Sequence, residues 1–149
     1  MSVKAILESK SKQVITARPS TSVEAAMELL IANGISCLPV VGEDDRLIGM
    51  ISDRDIFAKI HQTRGDYHAL KVEHLMTTDL IIGLPDDEIA YIAGVMEKNW
   101  IRHVPIVEGE RVIGVVSQRD IARTRAQTAE LENRYLMAMM DKRDKSGDV

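Results

Sequence analysis

Residues 48–56 read IGMISDRDI and residues 113–121 read IGVVSQRDI, so the chain contains nearly the same nine-residue sequence twice. A packed core can repeat its apolar pattern without repeating a serine, an arginine and an aspartate. The similarity extends outward, because residues 14–41 align with residues 80–107 at a constant offset of 66. The 149-residue chain is therefore predicted to be an internal duplication of two like modules.

Each repeat predicts the same order of elements, β-α-β-β-α, and hence a mixed α/β (α+β) fold. A short β-rich stretch, Val14–Thr16 or Leu80–Ile82, comes first. A helix with one apolar stripe follows, opened by the capping-type sequence Thr21-Ser-Val-Glu24 and ended by Gly34. Two strands come next, and the second helix begins at the S-x-R-D motif. The predicted strands are Ile35–Val41 and Leu47–Ser52 in the first repeat, and Ile101–Val107 and Val112–Ser117 in the second.

The domain limits follow from composition. The leaders of the two repeats match, VKAIL (3–7) with VEHLM (72–76), and a polar stretch containing Gly65 separates the modules. A helix without glycine or proline, from about Asp120 to Met140, follows the second module, and it either packs on its own module or forms a weak dimer seam. The predicted units are module 1 with its leader (1–60), a linker (61–71), module 2 (72–125), a C-terminal helix (126–140) and a disordered tail (141–149).

Composition narrows the class of protein. The formal net charge of -4 and an aromatic content of 3% give no basis for nucleic-acid binding. No segment is apolar over the length of a membrane span, and the first residues do not form a signal peptide. The single cysteine, Cys37, falls at a predicted core position and suits a reducing compartment, so we predict a cytoplasmic protein. No P-loop, Rossmann glycine motif or zinc-ligand spacing occurs.

The repeated polar residues allow two interpretations. Serine followed three residues later by aspartate, at a strand-to-helix junction, is a helix-capping pattern, and it explains Ser52 with Asp55. Capping requires no arginine between them, and it leaves unexplained the basic pair Arg102 and His103 beside an apolar strand. A binding site explains these residues together, because a carboxylate can bind ribose hydroxyls while helix N-termini, arginine and histidine suit phosphate.

The motif G-h-h-S-x-x-D, preceded by a strand ending h-P-h-V and written twice, closely resembles the cystathionine β-synthase (CBS) domain family. The resemblance covers residues 3–60 and 72–125. It implies a CBS pair, or Bateman module, in which two domains pack with pseudo-twofold symmetry. It also implies two clefts that bind adenine nucleotides, AMP foremost, with ATP, ADP, NAD or S-adenosylmethionine as alternatives.

The resemblance assigns the site residue by residue. It implies that the ribose positions are Ser117 and Asp120 in the second repeat and Ser52 and Asp55 in the first. Because the first repeat has Ser36-Cys37 opposite Arg102-His103, we predict one stronger cleft at Ser117 and Asp120 and a weaker second one. The phosphate positions would be Arg102, His103, Arg119 and Arg54, and backbone near Ile15, Thr16, Leu38, Pro39, Leu80, Ile82, Val104 and Pro105 would hold adenine.

These expectations describe a regulatory nucleotide-binding protein that senses energy or redox state and acts in trans on an effector protein. A homodimer is implied by the resemblance. An enzyme is not predicted, because no nucleophile–base pair can be assembled from the sequence, and neither a catalytic cofactor nor a metal is expected. The alternative is a structural interaction module in which the S-x-R-D motifs only cap helices.

Overall fold

The structure is a computed structural model that describes residues 1–10 and 13–147, and each repeat in it is built on one antiparallel hairpin. Cys37 lies opposite Ser52 in the first hairpin, and His103 lies opposite Ser117 in the second. Each S-x-R-D serine therefore ends a strand beside the start of the neighbouring strand. The strands are β1 (Cys37–Val41), β2 (Leu47–Ser52), β3 (His103–Glu108) and β4 (Arg111–Ser117).

The prediction that each repeat begins with a β-strand is wrong. Val14–Thr16 and Leu80–Ile82 lie outside the strands, and the only pairing near each is a single parallel bridge one residue later, at Ala17 and Gly83. The N–H of Ala17 donates to the Pro39 carbonyl oxygen at 2.9 Å, and the equivalent bond joins Gly83 to Pro105, also at 2.9 Å. Proline has no N–H with which to continue the ladder, and so the pairing stops there.

Four of the five α-helices in the described residues lie where the sequence predicted helices, although α5 ends six residues beyond the predicted Met140, and α1, in the first leader, was not predicted as a helix. α2 starts one residue later than Thr21 would place it, because Ser22 is the N-cap and accepts a bond from the Ala25 N–H at 3.0 Å. Gly34 ends α2 in the left-handed conformation, as predicted. α3 includes residues 61 and 62, which the sequence assigned to the linker. The helices are α1 (Val3–Lys10), α2 (Val23–Asn33), α3 (Asp53–Gln62), α4 (Ile89–Asn99) and α5 (Gln118–Ser146).

The leaders of the two repeats are exchanged. Val3 and Ile6 of α1 are buried in the core of the second repeat, and Val72 from the second leader is buried in the core of the first. The backbone bonds repeat this exchange, since the Val3 N–H donates to the Asp87 carbonyl oxygen and the Val72 N–H donates to that of Thr21, the residue equivalent to Asp87 in the first repeat. The exchange ties each module to the other and gives the molecule its pseudo-twofold symmetry.

The C-terminal helix leaves the module. Ile121 is buried against the second repeat, but every residue from Arg125 to Gly147 is exposed, including Leu131 and Tyr135. The alternative that this helix packs on its own module is therefore wrong beyond Thr124. Residues 141–146, predicted as disordered, are helical, and residues 148 and 149 of the predicted tail lie outside the described residues. Within the described ranges, no helix is both long and apolar enough to cross a lipid bilayer.

Candidate functional site

The two S-x-R-D motifs form the same structure. Ser117 ends β4 and caps α5, where its Oγ accepts a bond from the Asp120 N–H at 3.1 Å while Asp120 Oδ2 accepts from the Ser117 N–H at 2.8 Å. Ser52 and Asp55 exchange the same two bonds at 3.2 and 2.9 Å at the start of α3. The capping interpretation is thus confirmed for both motifs, and it fixes each aspartate at a helix N-terminus.

Asp120 also has a partner that Asp55 lacks among the residues that the structure describes. Lys10, the last residue of α1, places its Nζ 2.6 Å from Asp120 Oδ2 and 2.6 Å from the Val115 carbonyl oxygen. Burial alone would raise the pKa of Asp120, but hydrogen bonds from Lys10 and Ser117 outweigh it and hold that pKa below the ordinary 3.8. Asp120 is therefore ionised and paired with an ammonium group.

A cleft of about 900 Å³, here called cleft 1, opens over Ser117 and Asp120. Its volume is in the range of small-molecule sites. Repeat 1 lines the opposite wall with Ile15 and Pro39. Its cationic lining residues are Lys10, Arg102, Arg119 and Arg123, and Asp120 is the only acidic residue among its described lining residues.

A second cleft of about 1260 Å³, cleft 2, opens over Ser52 and Asp55. Repeat 2 supplies its opposite wall through Leu80 and Pro105. Its charges are balanced, because Arg54, Arg102 and Arg125 share the lining with Asp55, Asp79 and Glu97.

Both clefts therefore cross the boundary between repeats, because each combines the S-x-R-D motif of one repeat with the extended segment and proline strand of the other. Arg102 and His103 line both clefts, so this pair alone does not make the two clefts unequal. The inequality of charge comes instead from residues near the two aspartates, chiefly Lys10 in cleft 1 and Asp79 in cleft 2. Cleft 1 offers the more positive surface, which favours an anionic ligand there.

The shared centre is a polar contact between the repeats. His103 Nε2 lies 2.9 Å from Ser36 Oγ, and Arg102 lies 3.8 Å from Asp53. Burial, followed by the positive charge of Arg102, lowers the pKa of His103 below its ordinary 6.5. His103 is consequently neutral at pH 7 in this structure.

Four of the predicted site residues line neither cleft. Leu38 and Val104 are fully buried in the cores of their repeats, where their side chains pack with other apolar residues. Thr16 and Ile82 also fall outside both linings, and Ile82 is 47% exposed. The other twelve all line at least one cleft: Ile15, Pro39, Ser52, Arg54, Asp55, Leu80, Arg102, His103, Pro105, Ser117, Arg119 and Asp120.

Sequence reasoning missed Lys10 and Asp79, which occupy matching positions three residues beyond Leu7 and Met76 in the two leaders. The leader alignment contained that signal, but nothing in it indicated that the leaders are exchanged.

Cys37 was correctly predicted to be buried, yet it also lines both clefts. Burial, with the nearby charge of Asp55, raises the pKa of the Cys37 thiol to about 12, so the sulfur stays protonated and unreactive.

Comparison with protein families decides what kind of module this is. The family described as "CBS domain" matches twice, at residues 3–62 and at residues 72–126. The chain is a tandem CBS-domain protein. Both matches include a leader and an S-x-R-D motif, the elements that build the two clefts.

Among its relatives, this CBS pair is similar to inosine-5′-monophosphate dehydrogenase of Methanocaldococcus jannaschii. The two are 36% identical over 115 residues, which are 76% of this chain and 22% of the dehydrogenase. The chain spans about a fifth of the length of that relative, and the match carries no argument for a dehydrogenase activity.

Two solved structures with the same fold were determined with adenine-containing ligands. The CBS domain pair of protein MJ0100, in complex with 5′-methylthioadenosine and S-adenosyl-L-methionine, is 34% identical with a TM-score of 0.76, and the alignment covers 86% of this chain and 98% of that one. CBSX2 in complex with AMP is 25% identical with a TM-score of 0.68, covering 78% of this chain and 90% of the other.

Proposed function

We propose that this CBS pair is a regulatory module that binds an adenine nucleotide in cleft 1, with cleft 2 as a weaker site. The observation that carries the proposal is the convergence in cleft 1 of a helix-start carboxylate, Asp120, with cations contributed by both the hairpin and α5. Ribose hydroxyls would bond to Asp120, and phosphate would lie against Arg102 and Arg119. The adenine ring would lie between the repeats, near Ile15 and Pro39.

The capping role of Asp120 is compatible with ribose binding. The bonds from the Ser117 N–H and from Lys10 both reach Oδ2, and among the hydrogen bonds of the described residues none involves Oδ1. A carboxylate has about four lone-pair sites, so one oxygen can hold the helix start while the other accepts from a hydroxyl. The ligands of MJ0100 and CBSX2, which all contain adenosine, support the same ligand class here.

Isothermal titration calorimetry with AMP, ATP, NADH and S-adenosylmethionine tests the proposal, using Asp120→Ala and Asp55→Ala as a matched pair. Each variant loses one capping box, so the two share that part of the structural cost, while Asp120→Ala also loses the ion pair with Lys10. We expect Asp120→Ala to weaken the tighter site by about 1–3 kcal/mol, or about 5- to 150-fold, through loss of hydrogen bonds to a charged group. Asp55→Ala should leave that site within about twofold of the wild type.

The result against this proposal would be no binding of any of the four ligands at millimolar concentration to folded protein. Equal effects of the two variants on the tighter site would instead show that the assignment to cleft 1 is wrong.

The capping boxes favour a second candidate, a structural interaction module without a ligand. In that case both aspartates serve only the helix starts, and both variants would lower the melting temperature with no nucleotide-linked change. Thermal unfolding with and without about 5 mM AMP, a concentration chosen to saturate weak sites, separates the two candidates. By mass action, AMP raises the melting temperature only if the folded protein binds it.

The output of the module would pass in trans to an effector protein of unknown identity, and the sensed quantity would be energy or redox state. A ligand that bridges two repeats stabilises the arrangement it fits best, by as much as its affinity differs between arrangements. We further propose a cytoplasmic homodimer, as the resemblance to CBS pairs implies, with a regulatory rather than an enzymatic role.

A further inference from the structure

Lys10 makes the two clefts chemically different at the point where ribose would bind. Its Nζ bonds to Asp120 Oδ2 and to the Val115 carbonyl oxygen, both at 2.6 Å, and its side chain is only 32% exposed. The ammonium group thus lies on the carboxylate that the proposed function assigns to ribose.

The fold does not require this contact, because the first repeat lacks it. The position equivalent to Val115 is Met50, whose N–H and carbonyl bond to the Thr77 backbone at 2.9 and 2.8 Å. The position equivalent to Lys10 is Asp79, which lines cleft 2 with no opposite charge to offer Asp55. The repeat 2 hairpin therefore has a lysine side chain where the repeat 1 hairpin has a backbone partner.

We propose that Lys10 is a specificity-determining residue that makes cleft 1 favour phosphorylated adenosine over uncharged adenosine. This inference rests on the proposed function. Ribose hydroxyls would bond to Asp120 Oδ1 while the Lys10 ammonium bonds to Oδ2, so the two compete for the charge of one carboxylate and any adenosine compound weakens the ion pair without breaking it. A phosphate gives the weakened ammonium a second anionic partner beside Arg102 and Arg119, whereas a nucleoside leaves it partly buried with only the weakened contact.

The same competition connects ligand binding to α1. Lys10 ends this helix, and the helix is anchored in the second repeat by Val3 and Ile6. A shift of the ammonium toward a bound phosphate would therefore act on the segment that connects the two repeats.

Calorimetric titration of AMP and adenosine into wild type, Lys10→Met and Lys4→Met tests the inference. Met keeps the length and apolar stem of lysine but removes the charge. Lys4 lies on the exposed face of the same helix, outside both clefts, and is the matched control. We expect the ratio of the adenosine Kd to the AMP Kd to fall at least about tenfold in Lys10→Met, because AMP binds more weakly and adenosine more tightly. The ratio should be unchanged in Lys4→Met.

A ratio in Lys10→Met within twofold of the wild type, with both ligands bound, would overturn the inference and leave the proposed function standing. If neither ligand binds any of the proteins, the proposed function fails and the inference falls with it. Circular dichroism checks that each variant is folded. Should the unpaired carboxylate in Lys10→Met prevent folding, Lys10→Arg and Lys10→Gln provide the comparison, since Arg should retain the ratio and Gln should lower it.

Discussion

At the scale of single residues, the repeated Ser and Asp have one role that local sequence predicts and one that depends on the surroundings. A capping box needs only a serine, an aspartate three residues on and a helix, so the sequence predicted it for both motifs. Whether the carboxylate also faces a cleft, and what charge lies beside it, depends on residues far along the chain. Lys10 and Asp120 are in contact at a sequence separation of 110 residues.

The residues that end helices in the left-handed backbone conformation also show what the local sequence does not predict. Gly34 was predicted to end α2 because glycine adopts positive φ without strain. The equivalent residue of α4 is Trp100, at φ 56°, with a side chain that is 94% exposed. A tryptophan gives no local signal for this conformation, and the surrounding fold imposes it.

His103 makes the stability of the molecule depend on pH. Its pKa is lowered from 6.5 by burial and by Arg102, so below about pH 6.5 the unfolded chain takes up a proton more readily than the folded chain. The contribution of His103 to the free energy of unfolding is therefore fully present above about pH 6.5, and it is lost as the pH falls from there toward the lowered pKa of His103. We predict a lower melting temperature at pH 5.5 than at pH 7.5, measured by differential scanning fluorimetry.

His103→Gln is the matched variant, because Gln removes the titrating group and keeps a polar partner for Ser36. The decrease between pH 7.5 and pH 5.5 should be smaller in this variant. An identical decrease would contradict the role of His103. Asp120 does not contribute in this window, since its pKa lies below 3.8 and its stabilising effect is lost only at still lower pH.

At the scale of elements, the glycine of each IGxxS motif explains how the exchanged leaders fit. A Cβ on Gly114 would lie 2.5 Å from a Leu7 methyl carbon, and one on Gly49 would lie 2.8 Å from the Met76 sulfur. Each hairpin thus keeps a glycine where the leader from the other repeat packs on it. The motif repeats its glycine for close packing, in addition to the role of its polar residues.

Gly114→Ala should consequently destabilise the protein by about 1–3 kcal/mol through overpacking against α1. Chemical denaturation measures the change. Leu7→Ala in the same chain should relieve part of that cost, so the two changes should be coupled rather than additive.

Gly94→Ala is the contrasting control, since among the described residues the added carbon would meet no atom within 4 Å beyond its chain neighbours and the backbone of its own helix, and the residue is inside α4. Replacement of a helix-interior glycine should stabilise the protein by about 0.5–1 kcal/mol.

Strict additivity of Gly114→Ala and Leu7→Ala would refute the packing of α1 on β4.

At the scale of the whole molecule, α5 divides into a capped first turn that belongs to the module and an exposed extension. Its exposed apolar residues, including Leu131, Tyr135 and Met140, have no partner within the described residues of the chain. The stability of the CBS pair should therefore not depend on this extension.

A chain ending at residue 126 should melt within about 3 °C of the full-length protein, a shift that corresponds to about 1 kcal/mol for a domain of this size. Thermal unfolding and light scattering, both at low micromolar concentration, provide the measurement. A much lower melting temperature, together with a halved molar mass, would mean that a second copy covers the exposed helix in solution.

The sequence by itself determined the duplication, the α-β-β-α order within each repeat, the hairpin positions and the two capped helix starts. These features depend on local periodicity, turn residues and capping, which neighbouring residues specify. Only the tertiary structure decided that the leaders are exchanged, that each cleft draws on both repeats, that Lys10 lies on Asp120 and that α5 projects from the module. The physical reason is that two similar repeats present similar apolar surfaces. A leader with the right pattern fits either surface, so the choice between them depends on contacts that the local pattern does not contain.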